Sequence, residues 1–207
     1  MSSHYKVYFY VPNIIGYARI ILSLICFKWT FTNWRLCAAL YFISFLLDGV
    51  DGFVARALGQ SSQLGAVLDM ITDRFSTSCL CVALAILYPT YLIHFNVLIA
   101  LDISSHYFHM NCSLLLGSTS HKQVQASKNR LLRFYYSKRW FMSILCLGNE
   151  LFFVLAYVYR WFSHPLVLVL LKIVAVPMVV KQFMNVIQMV SACQTLTKFD
   201  VYGNKKE

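Results

Sequence analysis

Apolar residues fill the chain in six runs, at about 11–29, 36–57, 65–88, 91–116, 140–162 and 165–192. Charged, Pro- or Gly-bearing breaks such as Tyr88-Pro89 and His164-Pro165 separate them. Roughly 20 apolar residues in a helix cross the hydrocarbon core of a bilayer, so each run is predicted to be a transmembrane helix. The one sizeable polar connection is 117–139, between the fourth and fifth runs. The predicted fold is therefore all-α: a polytopic membrane protein, a six-transmembrane-helix bundle, with residues 1–207 as a single membrane domain. Lys172 and Lys181 interrupt the sixth run; each either snorkels to an interface or marks a cavity.

Composition strengthens this picture. Of 207 residues, 59% are hydrophobic and only 13% charged, where a soluble domain carries about 25% charge. A soluble enzyme, a secreted disulfide scaffold and a disordered tail are excluded. The seven cysteines (Cys26, Cys37, Cys79, Cys81, Cys112, Cys146, Cys193) lie mostly inside apolar runs without a CxxC pair, and read as buried, reduced, structural thiols.

Charge orients the bundle. With six spans, Lys6, Arg56, Lys122, Lys128, Arg130, Arg133, Lys138, Arg139, Lys198, Lys205 and Lys206 share one side, against Lys28, Arg35 and Arg160 on the other. Eleven against three places the first set, with both termini, in the cytosol by the positive-inside rule. The net charge of +10 is thus mostly topology and no nucleic-acid footprint. The basic 117–139 segment either simply fixes the topology, the simpler reading, or also meets anionic membrane lipids.

The acids are scarce and concentrated. Four of the eight fall between positions 48 and 73: Asp48 and Asp51 at i, i+3 near the cytosolic end of span two, Asp69 and Asp73 at i, i+4 near the start of span three. The short connection, containing Gly59-Gln60-Ser61-Ser62, predicts that spans two and three are antiparallel neighbours converging four carboxylates on one point. Asp48 and Asp73 would lie roughly 10–14 Å below the helix ends, where unpaired carboxylates cost several kcal/mol and repel one another. Arg56 and Arg74 are too few to neutralise them. Divalent Mg²⁺ or Mn²⁺, which favour oxygen ligands, would do so; pairing with basic residues of other spans is the alternative. Arg19, seven residues into span one, holds either an acidic partner or a phosphate. A cation transporter using the same carboxylates as an ion path is the rival from another class.

The run Asp48-x2-Asp51-Gly52-x2-Ala55-Arg56-x8-Gly65-x3-Asp69-x3-Asp73 resembles the signature of the CDP-alcohol phosphatidyltransferases without departure. The resemblance implies a six-helix membrane enzyme, often a homodimer. It further implies two divalent metals held by Asp48, Asp51, Asp69 and Asp73, with Asp73 also the catalytic general base. Gly52, Arg56 and a loop hydroxyl, here Ser62, would contact the CDP-linked donor.

Further stretches resemble the eukaryotic members that use inositol: Val11–Ile20, Leu101-Asp102-x2-Ser105-His106-x2-His109, Gly117-Ser118-x-Ser120-His121-Lys122 and Leu147–Phe152. The final 40 or so residues carry no such stretch. This implies transfer of the phosphatidyl group from CDP-diacylglycerol to myo-inositol, giving phosphatidylinositol and CMP, at the endoplasmic reticulum membrane. A polyol pocket needs carboxylate, amide and imidazole groups, and Asp102, His106, Asn149 and Glu150 are candidates; buried polar residues that merely link helices are the alternative. Serine, glycerol 3-phosphate and aminoalcohols are the rival acceptors.

Overall fold

The computed structural model describes residues 5–115 and 130–202, where every regular element is helical. In chain order these are α1 (Tyr5–Tyr8), α2 (Val11–Lys28), α3 (Trp34–Ala57), α4 (Gln63–Leu87), a 3₁₀ turn (Pro89–Tyr91), α5 (Leu92–Leu115), α6 (Arg130–Ser137), α7 (Arg139–Trp161) and α8 (Pro165–Tyr202). Local chemistry sets the boundaries. The Asn33 side chain accepts from the Leu36 N–H at 3.1 Å and starts α3. Ser62 does the same for α4, accepting from the Gly65 N–H at 3.0 Å. Pro89 follows the end of α4, and Pro165 opens α8, where a missing N–H costs nothing.

Five helices, α2, α3, α4, α7 and α8, are long and apolar enough to cross a membrane. The fifth predicted span, α5, has the length at 24 residues but carries Asn96, Asp102, His106, His109 and Asn111. Large apolar side chains such as Ile21, Phe42, Ile103 and Val176 point outward and exposed, the inside-out pattern of a chain solvated by lipid.

Packing departs from the sequence expectation at one decisive place. α3 and α4 follow one another in sequence yet scarcely touch; α2 packs extensively against both. The short connection brings their ends together, but α2 occupies the flank where direct antiparallel contact was expected. α7 and α8 form the second tight pair. There a Cβ on Gly148 would come 2.5 Å from Pro177 Cγ, so glycine is what lets the helices approach. α5 closes against α8 and α4.

The segment 117–139 was expected to be a polar connection throughout. Residues 130–137 instead form α6, which buries Leu132 and Tyr135 against Leu145 and Met184. α8 runs ten residues beyond the predicted end of the sixth span. At the end of the bundle away from Asp48 and Asp73, Cys26, Cys37, Leu84, Phe153 and Tyr157 form a dry core. Tyr157 crosses it to donate to the Thr30 carbonyl at 2.6 Å.

Candidate active site

Helical periodicity builds the site from three stripes. On α3, Cys37, Tyr41, Ser44, Asp48 and Asp51 recur every three or four residues on one inward face. On α2 the matching stripe is Asn13, Gly16, Arg19, Ser23 and Cys26. α4 contributes Asp69, Asp73, Ser76 and Thr77.

The Arg19 guanidinium stands where these stripes meet. It lies 2.7 Å from Asp48, 2.9 Å from Asp51, 2.9 Å from Asp69 and 2.6 Å from Asp73. Arg19 thus takes the acidic partner left open in the sequence, and takes four. It is 3% exposed, while the Asp69 side chain is 47% exposed, so the cluster opens to one side. One oxygen each of Asp48, Asp51 and Asp69 lies within 4.8 Å of the others.

The charges do not balance. Four carboxylates face Arg19, and a fifth, Asp102, meets Arg74 Nε at 2.9 Å, with Arg74 also 3.6 Å from Asp73. Two guanidinium groups leave that set formally three charges negative. Pairing with a basic residue of another span is real but insufficient. An all-oxygen, under-neutralised and partly open donor set fits hard divalent cations.

The donor-contact candidates sit at the mouth. Arg56 is exposed on the last turn of α3. Gly52 lies directly beneath it: an added Cβ would meet Arg56 Nη1 at 3.4 Å. Ser62 Oγ serves as the α4 cap, a structural duty beyond the one expected. Gly65 is required by close approach to α2, since a Cβ there would lie 2.7 Å from Asn13 Oδ1.

Behind the aspartates opens a cavity of about 170 Å³, lined by Arg19, Tyr41, Asp48, Asp73, Arg74, Thr77, Asp102, Asn149, Glu150 and Lys181 among others. Three of the four pocket candidates therefore share it with the acid cluster. Glu150 accepts from the Tyr41 hydroxyl at 2.8 Å and from the Thr77 hydroxyl at 2.9 Å. Asn149 Oδ1 accepts from Gln182 at 2.7 Å, and Lys181 donates to Asn185 Oδ1 at 2.5 Å. Asn185 donates in turn to Asp102 at 3.4 Å. His106 does not line the cavity. Its Nδ1 lies 2.8 Å from the Asp102 carbonyl oxygen and 3.6 Å from the Asp102 carboxylate, behind the wall.

Several members of the site were missed in the sequence: the central place of Arg19, and Tyr41, Thr77, Gln182 and Asn185. Lys181 had announced itself by interrupting an apolar run, and it marks the cavity, whereas Lys172 is exposed. The stretch Gly117–Lys122 lies outside the described residues.

Comparison with known proteins gives the same direction. The family model for CDP-alcohol phosphatidyltransferase matches residues 9–197, so the likeness extends well into α8. A human protein named CDP-diacylglycerol–inositol 3-phosphatidyltransferase is 39% identical over 208 residues, covering 98% of each chain. A Candida albicans protein of the same name is 40% identical, covering 97% of this chain and 87% of its own. An Arabidopsis thaliana protein, CDP-diacylglycerol–inositol 3-phosphatidyltransferase 1, is 41% identical, covering 97% and 94%. No solved structure matches. Near-complete coverage by the family model, at nearly 40% identity to these relatives, means that the chain belongs to the CDP-alcohol phosphatidyltransferase family.

Proposed function

We propose that the protein transfers the phosphatidyl group of CDP-diacylglycerol to myo-inositol, giving phosphatidylinositol and CMP. One observation supports this reading most: Asp48 and Asp73 of the carboxylate cluster line the same cavity as Asp102, Asn149 and Glu150. A reacting phosphate at the cluster and a polyol in the cavity would then be adjacent. The names of the relatives point to the same donor and acceptor.

Asp48, Asp51, Asp69 and Asp73 would hold two divalent ions, Mg²⁺ or Mn²⁺. When bound, these would offset the charge of the diphosphate and its CMP leaving group. Asp73 belongs to both the cluster and the cavity wall, which suits it to accept the acceptor hydroxyl proton as the new bond to phosphorus forms. Arg56, exposed over Gly52, suits a donor phosphate. Ser62 accepts from the helix N–H with its lone pair and retains its proton to donate. Asp102, Asn149 and Glu150 offer both acceptors and donors to a ring of hydroxyls, and His106 steadies Asp102 from behind. Arg74 and Lys181 line the same cavity and oppose an acceptor bearing an ammonium group. The basic asymmetry supports a cytosolic orientation for this site and both termini, and the endoplasmic reticulum is the membrane that the family resemblance implies.

The test is product identity. Purified protein in detergent, given CDP-diacylglycerol, Mg²⁺ or Mn²⁺ and each labelled alcohol in turn, should release CMP and label lipid with inositol alone. Chelation should abolish the reaction. Labelled lipid from serine or glycerol 3-phosphate instead would overturn the acceptor assignment. Ion flux in liposomes without CMP release would overturn the reaction class.

A further inference from the structure

The α2–α3 seam that carries Arg19 and the aspartates ends, two helical turns from Arg19, in a pair of cysteines. Cys26 and Cys37 are 0% and 1% exposed, and their sulfur atoms lie 3.0 Å apart. Cys26 Sγ is also 3.2 Å from the Cys37 carbonyl oxygen. Both residues sit within three positions of their helix ends, on either side of a hairpin of five residues, 29–33. They belong to the inward stripes of the two helices, in register with Ser23 and Tyr41. Nothing in the transfer reaction uses either thiol.

We propose that Cys26 and Cys37 are a redox modification site, forming an intramolecular disulfide that staples α2 to α3. The sulfurs have only to close from 3.0 Å to the bonded distance of about 2.05 Å. Two S–H bonds break and one S–S bond forms. The two electrons and two protons pass to a disulfide oxidant, a thiol–disulfide oxidoreductase or glutathione disulfide, which is reduced to two thiols. Oxidation occurs while the hairpin assembles, since the packed core of Leu84, Phe153 and Tyr157 excludes reagents afterwards. The inference rests on the orientation proposed above, which turns this end toward the lumen, where disulfides form and persist. The staple has a functional direction. It sets the sliding register between the helix bearing Arg19 and the helix bearing Asp48 and Asp51, at the end where no charge does so.

The experiment uses the full chain expressed in eukaryotic cells and purified without reductant. After denaturation in an alkylating reagent, peptide mass spectrometry should find Cys26 and Cys37 joined, the linked peptides lighter than the free pair by two hydrogens. The other five cysteines serve as controls that alkylate. Dithiothreitol added in the denaturant should render both residues reactive. Cys26→Ser should leave Cys37 alkylatable without reductant and lower the melting temperature by on the order of 5–10 °C. Recovery of both thiols fully alkylated without reductant would overturn the proposal. The inositol assay does not require either thiol, so a positive assay with free cysteines would sink the staple and leave the function standing.

Discussion

Two polar regions meet in one cavity and are built on opposite terms. The aspartate cluster is short of partners: one guanidinium serves four carboxylates. The network behind it is paired internally: Glu150 takes Tyr41 and Thr77, Asn149 takes Gln182, and Lys181 takes Asn185. Buried polar groups that bond one another make a rigid wall. Carboxylates left with surplus charge are chemically suited to cations. The difference separates a surface that shapes a ligand from one that is incomplete without it.

The sharpest way to break this contrast is at Asp73, which with Asp48 belongs to both the cluster and the cavity wall. Asp73→Asn keeps the shape but removes the proton acceptor, and turnover should fall at least about 10³-fold while the fold survives. Near-normal CMP release at saturating metal would remove Asp73 from the base role. Next in size is Arg19→Met, which leaves four carboxylates facing one another. Removing one partner of a buried ion pair costs about 3–5 kcal/mol, so the metal-free variant should melt far below wild type. Mg²⁺ should restore much of the loss. A chelated variant as stable as wild type would show that Arg19 does not hold the cluster together.

On the internally paired side the effects are smaller and differently distributed. Lys181→Met removes a cation from the cavity wall, and the Michaelis constant for inositol should rise roughly tenfold, about 1.4 kcal/mol. The constant for CDP-diacylglycerol should stay unchanged, and equal shifts in both would argue against a wall specific to the acceptor. Glu150→Gln is the mildest. The Tyr41 and Thr77 hydroxyls can still donate to an amide oxygen, so stability should change by only about 1 kcal/mol, measured by thermal melting. A loss comparable to Arg19→Met would mean that the network depends on charge, not on internal pairing.

Much of the fold was legible in the apolar runs because bilayer thickness imposes one length on every span. The six predicted spans begin within two residues of α2, α3, α4, α5, α7 and α8. The four aspartates were equally legible, since i, i+3 and i, i+4 spacing puts each pair on one helical face. What failed was the inference from chain order to adjacency. A short connection fixes where α3 and α4 meet end to end, but not which helix fills the flank between them. That helix is α2, so Arg19 reaches acids 29 to 54 positions away, which no local pattern records. The α8 contribution was hidden for another reason. Lys181 lines the cavity, and Gln182 and Asn185 bond to its wall, from the part of the chain where no family likeness had been noticed. Lys181 showed as a break in an apolar run, but Gln182 and Asn185 have no spacing to announce them.

The wedge of α2 has a consequence for traffic. Because α3 and α4 barely meet along their lengths, the cluster stands at the flank of the bundle, with Asp69 nearly half uncovered. A diacyl donor therefore need not leave the leaflet to be consumed. It can drift sideways in two dimensions until its headgroup meets the carboxylates.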